Sequence, residues 1–212
     1  MPTPYDLAIF DFDGTLADSW RMMGRAIIEA ADVFGYRRLT PEEAQQLRGQ
    51  DNRAVMAAMG VRMWQLPRIA VHMRQVALER ASEVTLFGGV DRLLPALVSQ
   101  GVRVAMVSSN SEAVVRQVLG PALSECVADF DCGAAIFGKA SKFRRVLRRA
   151  GVAPGRAVGI GDEVRDIEAA HAAGIAAAAV TWGYATPEIL ERRGPDHLVR
   201  SVAELQALLT GE

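Results

Sequence analysis

Along the chain, short apolar runs are separated by stretches in which apolar residues recur at helical spacing. The first run, Leu7 to Phe10, stops at Asp11 and predicts a buried strand. From Ala17 to about Glu83 the period changes. Met22, Met23, Ala26, Ile27 and Ala30 fall on one helical face, and no strand is expected in this stretch. Thr40-Pro41-Glu42-Glu43 reads as a capping box with proline at the first helical position. Asp51 is placed to cap a helix carrying Val55, Met56 and Met59, and a longer helix is expected from about Leu66 to Ala81. Gly88-Gly89 breaks the pattern. A helix through Leu93, Leu94 and Leu97 then ends at Gly101, and Val102 to Val107 predicts a strand. A helix from about Ser111, a short apolar stretch from Ala134 to Phe137 and a helix from about Ser141 to Ala150 follow. Strands are expected at Ala157 to Ile160 and Ile175 to Val180, around a helix from Glu163 to Ala173. Ser201-Val202-Ala203-Glu204 is a second capping box, opening the last helix.

Strands alternating with helices imply a parallel sheet with helices on both faces. The fold class is α/β, a Rossmann-like doubly wound core interrupted after its first strand by an all-helical insertion. The core is assigned to residues 1–16 and 88–212 and the helical unit to 17–87. In an open sheet with right-handed crossovers, ligands sit beyond the carboxyl ends of the strands.

Composition narrows the function classes. The 212 residues are half hydrophobic, enough for a real core. Lys plus Arg total 24 and Asp plus Glu 25, so a net charge of -1 provides no field to attract nucleic acid or an anionic membrane. No run is apolar and long enough to span a bilayer, and no secretory leader pattern is present, so a cytoplasmic protein is expected. Cys126 and Cys132 make neither a disulfide framework nor a zinc site. Nothing distinguishes a monomer from a homodimer.

Three expected strands end in polar residues: Asp11-Phe12-Asp13-Gly14-Thr15, Ser108-Ser109-Asn110, and Gly161-Asp162-Glu163-Val164-Arg165-Asp166. The topology brings these ends to one edge of the sheet. Asp11 and Asp13 are two apart on an extended segment, so both carboxylates point into one space while Phe12 turns away. Asp162 and Asp166 are four apart, which on a helix puts them on one face. Such an acidic cluster calls for a compensating cation, and few oxygen ligands with room for water and phosphate suit Mg²⁺. Lys139, ahead of a helix on the same edge, adds positive charge.

Asp11-Phe12-Asp13-Gly14-Thr15-Leu16-Ala17-Asp18-Ser19 closely resembles the first motif of the haloacid dehalogenase-like hydrolase superfamily. The strand ending in Ser108, Lys139 before a helix, and Gly161 to Asp166 resemble its second, third and fourth motifs, in the family's order. The insertion between the first two motifs resembles the helical cap of one branch. Thr181-Trp182-Gly183-Tyr184 followed by Pro195-Asp196-His197 is similar to phosphoglycolate phosphatase-like members. The resemblance implies a Mg²⁺-dependent phosphatase acting on a small phosphate ester. It makes Asp11 the nucleophile, Asp13 the general acid and base, and Asp11, the Asp13 backbone carbonyl and Asp162 the metal ligands, supported by Asp166. Ser108 and the N–H groups of Ser109 and Asn110 would bind the phosphoryl oxygens, and Lys139 would neutralise charge. Lys142, three residues further on, is the alternative lysine. A sugar phosphomutase shares all four motifs and is the rival reading. Dehalogenase and phosphonatase readings fit less well because their patterns lack the second aspartate, and a non-catalytic binding protein would not need a complete motif set.

Arg48, Gln50, Asp51 and Asn52 form a polar turn in the helical unit, either ordinary loop polarity or a substrate contact. Arg48 is the best single candidate there, since its forked donors suit a carboxylate or second phosphate. The methionines Met22, Met23, Met56, Met59, Met63 and Met73 read as filler between cap helices. Trp20 and Trp64 are expected to pack the cap, and His72, His171 and His197 to be structural or surface residues. The run Arg144, Arg145, Arg148, Arg149 reads as a solvated helix face.

Overall fold

The computed structural model describes residues 3–47, 52–133 and 138–211. Its centre is a six-stranded sheet. The strands are β1 (Leu7–Phe10), β4 (Arg103–Val107), β5 (Val127–Asp131), β6 (Ala157–Gly161), β7 (Ala176–Val180) and β8 (His197–Val199), in the order β5-β4-β1-β6-β7-β8. All neighbouring pairs are parallel. Successive side chains alternate between two apolar layers. Phe10, Val104, Met106, Val158 and Ile160 meet α5 (Val90–Ser99), α6 (Glu112–Glu125) and α10 (Val202–Thr210). Leu7, Ile9, Ala105, Val107 and Ala177 meet α7 (Lys139–Ala150), α8 (Val164–Ala173) and α9 (Pro187–Arg192). Burial on both faces explains why these strands read as continuous apolar runs.

Between β1 and α5 the chain forms α1 (Trp20–Phe34), α2 (Pro41–Gln46), α3 (Asn52–Ala58) and α4 (Leu66–Glu79). Of these, α1, α3 and α4 share an apolar cluster around Ala30, Ala31, Tyr36 and Met59. The segment also contains strand, against expectation. β2 (Ala17–Asp18) pairs antiparallel with β3 (Thr85–Leu86), where the chain enters and leaves the helical stretch. Two residues per strand are too few to register as a period. Other expectations shift in detail. Met22 is buried with the sheet residues, while Met63 is 74% exposed. Trp64 is 64% exposed and lies outside the cap cluster, and Trp20 is 50% exposed. Asp51 and the stretch Ala134 to Phe137 lie outside the described residues.

The Thr40 box forms in full: Glu43 N–H donates to Thr40 Oγ1 at 3.2 Å and Thr40 N–H to Glu43 Oε2 at 2.9 Å. The Ser201 box is half formed. Glu204 N–H donates to Ser201 Oγ at 3.1 Å, but the Glu204 carboxylate accepts from Arg200 N–H rather than from the cap residue.

The edge strand β5 was not expected, and its own residues say why. Asp129 and Asp131 interrupt its apolar pattern, yet Arg145 binds Asp131 at 2.6 Å and Arg149 binds Asp129 at 2.8 Å. The basic run on α7 is thus partly solvated and partly a clamp on β5. On the opposite side of α7, Phe143, Val146 and Leu147 are buried against the sheet. Replacing Phe143 by alanine should lower stability by about 3–5 kcal/mol, read from the midpoint of urea unfolding at unchanged slope. A variant as stable as the parent would contradict this packing.

Candidate active site

The site starts where β1 runs out. Asp11 N–H donates to the Ile160 carbonyl at 2.8 Å, which carries the ladder with β6 one residue further and fixes the Asp11 backbone. Phe12 turns into the core, and its carbonyl accepts from the N–H groups of Leu16 and Ala17, both at 3.0 Å, closing a tight turn. Gly14 in this turn has φ +77°, and a Cβ there would run into the Asp162 carboxylate. Gly183 packs on Asp162 from another side, and a side chain there would collide with it too. Glycine is needed at both positions because Asp162 is held that closely.

Asp11, Asp162 and Asp166 are buried, with carboxylate oxygens within 4.8 Å of one another. Asp162 stands just after β6 and Asp166 in the first turn of α8, so they do not share a helix face as expected. They meet because Asp166 folds back as a cap. Its Oδ2 accepts from Asp162 N–H at 3.1 Å and Glu163 N–H at 2.9 Å. Asp162 in turn accepts from Thr15 Oγ1 at 2.9 Å and from Tyr184 N–H at 2.7 Å. Lys139 is the first residue of α7 rather than a residue ahead of it. Its Nζ lies 2.6 Å from Asp166 Oδ1 and 3.0 Å from Asp11 Oδ1.

Charge and burial compete here. Burial pushes the Asp11 carboxyl up to about 6, against the lowering pull of Lys139. Burial likewise raises Asp13, opposed by bonds from Ser19 and Asn110. Asp162 is held well above the usual carboxylate range by burial, then by the charges of Asp166 and Asp11. For Lys139, burial works downward, but Asp11 and Asp166 overcome it and its ammonium is strengthened. Three carboxylates therefore face one buried ammonium, and the all-oxygen donor set fits a hard divalent cation.

Ser108 follows β4 and is buried, while Ser109 is exposed. Asn110 is engaged differently from the expected backbone role. Its N–H donates to Ser108 Oγ at 2.9 Å, and its Nδ2 donates to Asp13 Oδ2 at 3.3 Å. Lys142 is buried and lines the same cavity as Asp11 and Lys139, but its ammonium is taken up by backbone. Its Nζ donates to three carbonyls, those of Ser108 at 2.8 Å, Asp131 at 3.0 Å and Gly133 at 2.5 Å. Asp11, Ser108, Lys139 and Arg165 line a cavity of about 510 Å³. Arg48 and Gln50 lie outside the described residues, as does the Asp51 of the same turn.

Sequence reasoning passed over Thr15, Ser19, Arg165 and Tyr184. Thr15 and Tyr184 both bind Asp162, and Trp182 Nε1 donates to the Thr15 carbonyl at 3.0 Å. Their signal was present in Gly14-Thr15 and Trp182-Gly183-Tyr184, but periodicity assigns no contact to a turn. The histidines take no part: His171 meets Asp196 at 3.0 Å and His197 meets Tyr5 at 2.8 Å.

A family model described as haloacid dehalogenase-like hydrolase matches residues 8–180. A phosphoglycolate phosphatase from Synechococcus elongatus is 31% identical over 203 residues, covering 95% of this chain and 96% of that protein. Tyrosine-protein kinase PtkA of Mycobacterium tuberculosis is 28% identical over 190 residues, covering 88% of this chain and 65% of that protein. Among solved structures, a haloacid dehalogenase-like family hydrolase from Streptococcus pneumoniae has a TM-score of 0.82 at 21% identity. It covers 96% of this chain and 98% of that one, a likeness of fold. No helix among the described residues is long and apolar enough to cross a membrane. The family match begins inside β1 and ends with β7, leaving out only one edge of the sheet, and the chain therefore belongs to the haloacid dehalogenase-like hydrolases, as a phosphatase of the phosphoglycolate phosphatase-like kind.

Proposed function

We propose that the chain hydrolyses a small phosphomonoester, phosphoglycolate or a sugar phosphate, through an aspartyl phosphate on Asp11. The observation that carries this is the pairing of Asp11 with Lys139 at 3.0 Å, two residues from an Asp13 held by Asn110. An ammonium at that distance offsets the repulsion between an anionic nucleophile and an anionic phosphoryl group. In the first step an Asp11 oxygen attacks phosphorus, and Asp13 gives its proton to the leaving alkoxide. In the second, Asp13 takes a proton from water, which attacks phosphorus, releasing phosphate and restoring Asp11. Ser108, with the N–H group of Ser109, receives the phosphoryl oxygens, the Asn110 N–H being already given to Ser108 Oγ.

Mg²⁺ would be held by Asp11, the Asp13 backbone carbonyl and Asp162, and would supply charge neutralisation for the phosphoryl oxygens. Asp166 supports that set by orienting Lys139 and the backbone of Asp162. Residues 17–87 are proposed to act as a cap, with the β2–β3 ribbon as the crossing point to the sheet and Arg48 reading the non-phosphate end of the substrate. Phosphoglycolate enters from the name of the Synechococcus elongatus relative. The same first step followed by transfer to a sugar hydroxyl would make a phosphomutase.

A phosphate ester panel separates these outcomes: free phosphate released in proportion to ester consumed is expected, and isomerised sugar phosphate without net release would overturn hydrolysis. Asp11→Asn should lower phosphate release by about 10³-fold or more with an unchanged circular dichroism spectrum; an active variant would remove Asp11 from the nucleophile role. Chelation should stop turnover and added Mg²⁺ restore it, whereas metal-independent turnover would contradict the proposed ligand set. The two lysines should separate cleanly. Lys139→Met should lose turnover. Lys142→Met should instead lose stability by about 2–3 kcal/mol, because three buried carbonyls lose their donor, while folded molecules keep turning over. The reverse pattern would reassign the catalytic lysine.

A further inference from the structure

Thr181-Trp182-Gly183-Tyr184 follows β7 directly, and the proposed chemistry gives Trp182 no part. The contacts of this turn converge on Asp162. Tyr184 N–H donates to Asp162 Oδ2 at 2.7 Å, and Ala185 N–H donates to the Asp162 carbonyl at 3.3 Å. Gly183 packs so closely on Asp162 that a Cβ there would strike its side chain. Trp182 reaches the same carboxylate by a second route. Its indole Nε1–H donates to the Thr15 carbonyl at 3.0 Å, and Thr15 Oγ1 donates to Asp162 Oδ1 at 2.9 Å. The contacts close a ring, from Asp162 through Thr15 and Trp182 to Tyr184 and back.

Thr15 lies in the turn between β1 and β2. Within that turn the Phe12 carbonyl accepts from Thr15 N–H at 3.3 Å and from the N–H groups of Leu16 and Ala17, both at 3.0 Å. These bonds hold the turn from the Phe12 side. Trp182 holds the peptide after Thr15 from outside the turn. Thr15 is fully buried. Loss of a donor to a buried carbonyl is costly, so the turn would shift to recover one and carry the Thr15 hydroxyl with it. The indole is itself held in place. It packs against the sheet cluster and meets the Phe87 ring edge to face, with centroids 6.4 Å apart. Phe87 follows β3, and its N–H donates to the Leu16 carbonyl at 2.9 Å. The indole therefore stands where the 17–87 stretch rejoins the core.

We propose that Trp182 is a positioning residue for Asp162, acting through Thr15, so that the turn after β7 sets how firmly the site holds Mg²⁺. The proposal rests on the reading of Asp162 as a Mg²⁺ ligand. Outer groups that orient a ligand typically govern metal affinity by about 10- to 100-fold.

Mg²⁺ alone, without substrate, is titrated by calorimetry into the metal-free full chain. Trp182→Phe removes the indole N–H and keeps a ring beside Phe87. It should weaken Mg²⁺ binding by about 3- to 10-fold, and Thr15→Val, which removes the hydroxyl at nearly constant shape, by about 10- to 100-fold. Thr15→Ser keeps the hydroxyl and should bind as the parent does. The double variant of Trp182→Phe and Thr15→Val should bind no more weakly than Thr15→Val alone, because both act along one path. Fewer binding-competent molecules at unchanged affinity would make Trp182 a packing residue only and overturn the proposal. Additive losses, or equal or tighter binding in Trp182→Phe, would overturn it as well. Asp162→Asn, titrated alongside, keeps the two readings apart. If it binds Mg²⁺ like the parent, the ligand assignment falls and the role of Trp182 with it. If it binds weakly while Trp182→Phe matches the parent, only the role of Trp182 falls.

Discussion

Three buried carboxylates lie within 4.8 Å of one another, and the rest of the site is arranged around that repulsion. At an effective dielectric of about 20, two unit charges about 5 Å apart repel by roughly 3 kcal/mol. Over three pairs this rivals the whole stability of an ordinary domain, about 5–15 kcal/mol. The cluster therefore persists only with compensation. Lys139 supplies one ammonium between Asp11 and Asp166, and backbone N–H groups donate to one oxygen of Asp162 and one of Asp166. Burial first, and then the neighbouring carboxylate charges, hold the Asp11 and Asp162 carboxyls above their ordinary range. A site that still holds excess negative charge after its own lysine is counted is prepared to take a cation, and a phosphate with it.

Parallel topology supplies the placement. The strands β4, β1 and β6 are neighbours, so Ser108, Asp11 and Asp162 emerge side by side at one edge of the sheet. The turns then fix orientation. Asp162 is the most constrained residue: Thr15 and Tyr184 each bind one of its oxygens, and Gly14 and Gly183 leave it no lateral room. Rigid ligands of this kind suit an ion that tolerates little distortion, and they spend no reorganisation when substrate arrives.

Much of this was legible in the sequence where local pattern and topology agree. Leu7 to Phe10 reads as a buried strand because both of its faces are covered, and the polar residues at strand ends converge because an open parallel sheet leaves them one place to go. The parts that were not legible have specific causes. β5 is hidden by Asp129 and Asp131, whose partners Arg145 and Arg149 lie a helix away in sequence and make acids tolerable on an edge strand. Asp162 and Asp166 were correctly grouped for an incorrect reason. Spacing four apart suggests a shared helix face, but the contact depends on Asp166 capping its own helix backward onto the strand end. Trp20 and Trp64 are large and apolar and so read as cap packing, yet they are 50% and 64% exposed and neither joins the cluster around Ala30 and Met59.

The two lysines of α7 share a helix face and have different partners. Residues three apart on a helix lie on the same face, so spacing sends Lys139 and Lys142 toward the same side of the sheet. What separates them is the acceptor each finds. At the helix start, Lys139 emerges level with the strand ends and meets carboxylates. One turn further in, Lys142 binds three backbone carbonyls at 2.5–3.0 Å, with the Asp131 carboxylate no nearer than 4.0 Å. A lysine among carbonyls organises the loops that follow β4 and β5. A lysine among carboxylates has a charge that an incoming phosphoryl group can share. The same residue type, on the same face, is structural in one place and chemical in the other because the helix rises past the edge of the sheet between them.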